Sequence, residues 1–242
     1  MLHRTEGVVL RTRDYGEADL IVSFLTRDFG IIHTFARSPR KTKSRFGSSL
    51  EPLSYVKLSF WGKENARLPR LTQSDIIKSF QKLRESVDCF LRVSELLKVI
   101  LICSPERDVS YNMFVFLLRA LSEFESGCLN PLIMLSIKIK LLKITGFAPR
   151  LAGCARCGAS GMNFHFSDGA VLCNKCGHTL GRTQSLSPGC IRLYDCLSRW
   201  TIEKIYRVKT DDGLIGELTS VIDSHVKYYI SGESRQAGGQ AG

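Results

Sequence analysis

The first eighty residues alternate between apolar and polar positions with a period of two, and turn residues interrupt the pattern at short intervals. Residues 53–61 show it most clearly, because Val56, Leu58 and Phe60 fall on one side. Such alternation is typical of half-buried β-strands. Four more short strands are expected at residues 7–11, 20–26, 31–36 and 68–73. Five short strands within about 75 residues predict a small β-barrel.

From about residue 80 the apolar positions follow a helical period. The third expected helix has the clearest start, with Asn130 at the N-cap and Pro131 at the first helical position. The expected helices cover residues 86–103, 111–127, 131–145, 188–200 and 214–230.

Four cysteines in the helical half form two Cys-x-x-Cys pairs, Cys154 with Cys157 and Cys173 with Cys176, separated by fifteen residues. This spacing suits a four-thiolate zinc site, because each tight turn aims two sulfurs at one tetrahedral ion. Short strands at residues 162–166 and 169–172 would complete a zinc ribbon. Disulfides or unconnected thiols are the alternatives, and an intracellular chain with this pattern favours the metal.

Four thiolates leave no coordination position open for water, so the predicted Zn²⁺, one per chain, is structural and not catalytic. A glycine follows each pair, where a positive φ would let backbone amides approach the sulfurs. A zinc deaminase would need a His-x-Glu motif, and none of the five histidines is followed by x-Glu.

Positive charge is concentrated toward the front of the chain. The formal net charge is +11, and residues 1–80 carry fourteen Lys and Arg against eight Asp and Glu. The excess predicts a polyanionic partner. A stretch without acidic residues covers residues 29–50, and its basic run at 37–45 lies in a predicted loop between the third and fourth strands, for which simple solvation is the alternative interpretation. It contains Arg37, Arg40, Lys41, Lys43 and Arg45.

These patterns predict a multidomain α+β protein. An OB-fold nucleic-acid-binding domain covers residues 1–80 and an α-helical domain residues 81–242, with the zinc ribbon inserted at 150–182 and a disordered tail at 232–242. Tyr15, Phe29, Phe46 and Trp61 are the rings near basic residues, and each is either a core residue or a stacking platform for bases.

Several classes of chemistry lack their motifs. The chain has no Gly-x4-Gly-Lys-Ser/Thr phosphate-binding loop and no Gly-x-Ser-x-Gly elbow, so it is expected not to be an enzyme. Asp211-Asp212 is interpreted as a helix start and not as a two-metal site. No apolar run approaches the ~18 residues that cross a bilayer, and the nine cysteines suit a reducing cytoplasm.

Several stretches resemble the RecO family of recombination mediators. They are Arg11-x-Arg13-Asp-Tyr-Gly-Glu-Ala-Asp19, Ala36-Arg37, Lys43-Ser-Arg-Phe-Gly47, Leu50-Glu-Pro52, Thr72-Gln-Ser-Asp75 and Gly146-Phe-Ala-Pro149 with Leu151. The resemblance implies an OB-fold, a helical domain and a four-cysteine zinc site. One departure, Asp168-Gly169 in place of a Gly-Gly frequent in the family, bears only on turn geometry.

The resemblance also implies a role in DNA repair, in the bacterial cytoplasm at the nucleoid. Family members bind single- and double-stranded DNA, anneal complementary strands without ATP, and with RecR help to load RecA onto DNA coated by single-strand-binding protein. They also bind the acidic C-terminal tail of that coating protein.

The expected phosphate contacts come from the basic residues of the front domain, because cations that neutralise phosphates release counterions. They are Arg11, Arg13, Arg37, Arg40, Lys41, Lys43 and Arg45. Arg11 and Arg13 could instead support the fold through Asp14, Glu17 or Asp19. The alternative functions are an adaptor that captures acidic protein tails, an RNA-binding zinc-ribbon factor and, last, a metal-dependent enzyme.

Overall fold

A computed structural model of the chain describes residues 1–39, 46–63, 66–177 and 181–230. It contains two compact units, Met1–Leu129 and Asn130–Gly242. The segment of Arg40, Lys41, Lys43 and Arg45 and the expected tail at 232–242 lie outside the described residues. The domain division expected at residue 80 stays a prediction.

The strands of the first unit close into a barrel in the order β1-β2-β3-β5-β4. This is the predicted OB topology, so the α+β fold class is confirmed. Apolar side chains that alternate along the strands fill the interior. The strands are β1 (Leu2–Tyr15), β2 (Asp19–Thr26), β3 (Gly30–Ala36), β4 (Tyr55–Trp61) and β5 (Arg70–Lys78).

The long first strand closes the barrel, because β1 pairs with β4 along its first half and with β2 along its second. The register shifts between Val9 and Arg11, which is the position of a β-bulge. The sequence predicts only residues 7–11 as this strand. Both predicted ends of the strand are wrong. The residues on either side of 7–11 alternate only weakly between apolar and polar, and they are held in the strand by pairing with β2 and β4.

Short and long helices complete the first unit: α1 (Gln81–Glu85), α2 (Val87–Cys103) and α3 (Tyr111–Gly127). The hydroxyl of Ser110 accepts a hydrogen bond from the backbone N–H of Met113 at 3.2 Å, so it is the N-cap of α3. Cys89 on α2 and Cys128 are both buried and lie side by side, with their Cα atoms 5.7 Å apart, a proximity that the sequence does not predict.

The second unit holds helices α4 (Pro131–Ile144), α5 (Pro188–Arg199), α6 (Ile202–Ile205) and α7 (Asp212–Ile230). Most of α4 is buried, and its Asn130 cap is confirmed because Asn130 Oδ1 accepts from the N–H of Leu132 at 3.0 Å. Between α4 and α5, strands β6 (Asn163–His165), β7 (Ala170–Leu172) and β8 (Thr183–Ser185) form a sheet in the order β7-β6-β8. Within the described residues, every helix is too short or too polar to cross a lipid bilayer.

Candidate metal centre and nucleic-acid interface

The four predicted cysteine ligands come together in the second unit. The Sγ atoms of Cys154, Cys157, Cys173 and Cys176 all lie within 4.8 Å of one another, and those of Cys157 and Cys173 are 3.6 Å apart. A tetrahedral ion with Zn–S bonds of ~2.3 Å requires sulfurs about 3.8 Å apart. The arrangement therefore fits a metal ion held by four sulfurs.

Backbone amides surround two of these sulfurs. Hydrogen bonds from the backbone of Cys173, Arg156 and Cys157 lower the pKa of the Cys154 thiol to about 6. Backbone hydrogen bonds from Cys176 and Lys175 likewise lower the pKa of Cys173. Each Cys-x-x-Cys turn thus stabilises a thiolate, which is the form of cysteine that binds metals.

The thiols also compete with one another for protons. The thiol of Cys176 forms hydrogen bonds with the sulfurs of Cys157 and Cys173. These bonds, of which the one to Cys157 has the larger effect, raise the pKa of Cys176 to about 12. Four acidic groups in so small a volume cannot all ionise unless a cation compensates their charge. The chemistry of the donor set therefore favours a divalent cation at this position.

The two glycines that follow the cysteine pairs serve different purposes. Gly158 has a φ of +75°, which confirms the prediction of a left-handed backbone after the first pair. For Gly177 that prediction is wrong. A Cβ atom there would lie 2.8 Å from Nε2 of the buried His165, so the position needs glycine for space and not for its φ angle.

The cysteine ribbon, defined as residues 150–177 and 181–185, packs against α7. A Cβ atom at Gly169 would lie 3.1 Å from Cε1 of His225 and 2.9 Å from the Tyr229 hydroxyl. The ring of Phe164 on β6 meets the ring of His225 edge to face at 5.6 Å. The sequence places the ribbon between the helices that correspond to α4 and α5, and it does not predict this contact with α7.

The structure places some of the expected phosphate contacts on the barrel. Arg11 and Arg13 are exposed on β1, and Arg37 is exposed directly after β3. Within the described ranges, no carboxylate forms an ion pair with these three arginines. The carboxylate of Asp19 instead accepts a hydrogen bond from the backbone N–H of Ser38 at 2.7 Å.

The candidate stacking rings divide into two groups. Phe46 is a core residue at 3% exposure, and Phe29 is partly buried against the same core. Tyr15 and Trp61 are 53% and 61% exposed. Only the second pair is therefore placed to meet a ligand at the barrel surface.

Two family descriptions match the chain in sequence. "Recombination protein O N terminal" matches residues 1–80, and "Recombination protein O C terminal" matches residues 89–236. The DNA repair protein RecO of Thermodesulfovibrio yellowstonii is 38% identical over 232 residues, 93% of this chain and 92% of the relative. RecO of Rubrobacter xylanophilus is 37% identical over 72% of this chain and 71% of its own length, and RecO of Bacillus subtilis 29% identical over 95% and 90%.

Proposed function

The chain belongs to the RecO family of DNA repair proteins, and on that premise we propose that it is a recombination mediator that binds DNA and anneals complementary strands. It would bind both single- and double-stranded DNA and, with RecR, help to load RecA onto DNA coated by single-strand-binding protein. The action would take place in the bacterial cytoplasm at the nucleoid.

The observation that carries the proposal is the set of basic side chains on the barrel surface. Arg11, Arg13 and Arg37 are exposed, and no ion pair within the described part of the chain neutralises them. Guanidinium groups of this kind bind phosphate and release counterions. Charge that is shared between two strands offsets their mutual repulsion, so annealing needs no nucleotide fuel and no catalytic group.

We propose that the ion of the cysteine cluster is Zn²⁺, with Cys154, Cys157, Cys173 and Cys176 as its ligands. Sulfur ligands in a closed tetrahedral set suit this ion and leave no position for a substrate. When bound, Zn²⁺ supplies folding energy to the ribbon. The residues of the ribbon then keep β6 and the turn before β7 against His225 and Tyr229 on α7.

We further propose that a cleft in the second unit receives the acidic tail of the single-strand-binding protein. The cleft has a volume of about 860 Å³ and lies between the first residues of the ribbon and α5. Arg150, Arg192 and Arg199 surround apolar side chains such as Ile191, while Asp195 on the rim pairs with Arg199 at 2.8 Å. Net positive charge around an apolar floor is complementary to an acidic, partly apolar peptide.

The test of the proposed function is an annealing assay on complementary strands coated with the cognate single-strand-binding protein, without ATP. The protein should accelerate annealing, and the acceleration should fall steeply with salt. An adaptor that only captures acidic tails would bind the coated strands but would not bind bare oligonucleotides. That result, or equal annealing with and without the protein, would contradict the proposal.

The tail site has its own test in peptide binding. Arg192→Glu should weaken binding of the fluorescently labelled acidic C-terminal peptide, because it reverses a charge on the rim of the cleft. Arg207→Glu reverses the charge of another exposed arginine, outside the residues that line the cleft, and is the matched control. Equal weakening by both variants would place the peptide elsewhere.

A further inference from the structure

The register of the barrel strands aligns arginines and aromatic rings in a single row. Arg13 on β1 lies opposite Ile21 on β2, and Ile21 lies opposite Phe35 on β3. Phe35 pairs with Arg70 on β5, and Arg70 lies opposite Trp61 on β4. We call these five residues the Arg13–Trp61 row. Directly paired residues have their Cβ atoms ~5 Å apart, so consecutive members of the row are neighbours.

All members of the row point away from the barrel interior. Their sequence neighbours Val22, Ala36, Phe60 and Leu71 belong to the buried core, and successive strand residues face opposite sides. Arg13, Arg70 and Trp61 are exposed, and Ile21 and Phe35 are half-buried. The row therefore combines charge and apolar surface on the outside of the barrel.

A third ring extends the row at its β1 end. Tyr15 lies two residues after Arg13 on the same strand face and is 53% exposed. Its ring contacts the ring of Phe35 edge to face, with centroids 5.7 Å apart. Tyr15, Phe35 and Trp61 thus present three aromatic surfaces, with Arg13 two residues before Tyr15 on β1 and Arg70 between Phe35 and Trp61.

The neighbouring row of paired residues on β2 and β3 is covered by another segment of the first unit. The hydroxyl of Ser23 lies 2.7 Å from Nδ1 of His33, and Nε2 of His33 lies 3.0 Å from Oε1 of Glu106. The segment between α2 and α3 therefore covers that part of the outer surface. On the other side, Asp19 lies opposite Tyr15, and one of its oxygens is occupied by the backbone N–H of Ser38.

We propose that the Arg13–Trp61 row is the path of a short single-stranded DNA segment, and this rests on the proposed function. Unpaired bases stack on Trp61, Phe35 and Tyr15, while Arg13 and Arg70 bind the phosphates. The row crosses four strand spacings, roughly 19 Å, which accommodates a segment of a few nucleotides. Bases in a duplex hide their faces in the stack, so the row binds single strands in preference to duplex.

Intrinsic fluorescence tests the path directly, because the chain has only two tryptophans, Trp61 and Trp200. The Trp200→Phe variant leaves Trp61 as the sole indole. Titration with an oligothymidylate should quench its fluorescence with the same midpoint as an independent binding assay. A duplex of equal length should change the fluorescence little, even where it binds.

Two substitutions measure the contribution of the row. Trp61→Ala should weaken binding of the oligothymidylate by at least about fivefold and leave duplex binding nearly unchanged. Arg70→Gln should reduce the salt slope for the single strand by about one. Arg92→Gln on α2 removes another exposed arginine, outside the row, and should change neither quantity. Melting curves establish that each variant folds.

The outcomes separate the row from the proposed function. If the wild type binds oligothymidylate while the Trp61 signal and the affinity of Trp61→Ala stay unchanged, the row is overturned and DNA binding stands. If Trp61→Ala loses single-strand and duplex binding equally, the stated preference of the row is wrong. If the wild type binds neither form, the proposed function itself fails.

Discussion

Nε2 of His225 on α7 lies 2.8 Å from the carbonyl oxygen of Phe147, so the imidazole donates this hydrogen bond across 78 residues of sequence. The ring is 1% exposed, and within the described residues its Nδ1 has no hydrogen-bond partner. It also contacts Phe164 of the ribbon and Tyr229 of α7. His225 therefore joins α7, the segment after α4 and the ribbon.

This burial predicts a pH-dependent stability. Desolvation lowers the pKa of His225 below its ordinary value of 6.5, although the hydrogen bond to Phe147 opposes the shift. The folded state then binds fewer protons than the unfolded state, so stability rises with pH in this window. The contribution is complete above about pH 6.5 and is lost as the pH falls below it, by at most ~1.4 kcal/mol per pH unit.

Urea unfolding at pH 7.5 and pH 5.5 measures this effect. His225→Gln keeps a side-chain N–H donor and removes the titration, so it should flatten the pH dependence of stability although it lowers stability at pH 7.5.

His33→Gln, at a half-buried histidine of the first unit, is the control. In this variant the stability of the second unit should change between the two pH values as it does in the wild type. Metal content is measured in each sample, because acid also releases metal from thiolates. An unchanged pH dependence in His225→Gln would assign the effect to other groups.

A second prediction concerns Cys154→Ser. Removing one thiolate should release the metal and lower the melting temperature of the second unit, because metal binding and local folding are linked. Bound zinc, measured with a chromophoric chelator after denaturation, should fall from about one ion per chain to near zero. DNA binding by the barrel should change less.

The matched control for Cys154→Ser is Cys196→Ser. Cys196 lies on α5 in the same unit and outside the four-sulfur cluster. This variant should retain the metal and most of the stability. If Cys154→Ser retained both its zinc and its melting curve, the cluster would not be a metal site.

Local signals explain why much of the fold is predictable from the sequence. Ser110 and Asn130 each carry a side-chain oxygen that caps a backbone N–H, so the starts of α3 and α4 are visible in a single residue. The two Cys-x-x-Cys turns are equally local. Each turn by itself directs two sulfurs toward one point, and the spacing between the turns allows both pairs to reach the same metal ion.

Non-local pairing explains what the sequence does not predict. Strand β8 has three residues with little alternation, and it forms because β6 offers it an edge. The sequence does not mark Arg70 and Phe35 as candidate binding residues. They become candidates only through the strand register, which places Arg70 beside Trp61 and Phe35 beside Ile21. If the strands paired one residue out of this register, the side chains of the row would face the barrel interior. No local sequence pattern determines the register.

Gly30 yields a third prediction, because it lies where β3 meets the segment between α2 and α3. Its φ is +62°, and a Cβ atom would lie 2.4 Å from the carbonyl oxygen of Asp108. Gly30→Ala should destabilise the first unit by at least ~1–2 kcal/mol from the left-handed backbone alone. The clash with a backbone atom adds to this cost.

Gly216→Ala is the contrasting variant. Gly216 lies within α7, where a Cβ atom would meet no other atom within 4 Å. Alanine should stabilise this helix by about 0.5–1 kcal/mol. Denaturant midpoints of the two variants therefore move in opposite directions. A Gly30→Ala protein as stable as the wild type would contradict the close approach of Asp108 to β3.

The final prediction addresses the basic segment between β3 and β4. If Arg40, Lys41, Lys43 and Arg45 bind phosphates, replacing all four by Gln should weaken DNA binding for every sequence. The slope of log affinity against log salt should fall by up to about one per lost contact.

The control variant replaces exposed Arg92 and Lys98 on α2, which lie outside the proposed interface and should leave the slope unchanged. Affinities are measured by anisotropy at several salt concentrations, since a single value mixes charge with stacking. An unchanged slope in the fourfold variant would remove this segment from the interface and leave Arg11, Arg13 and Arg37 to carry the contacts.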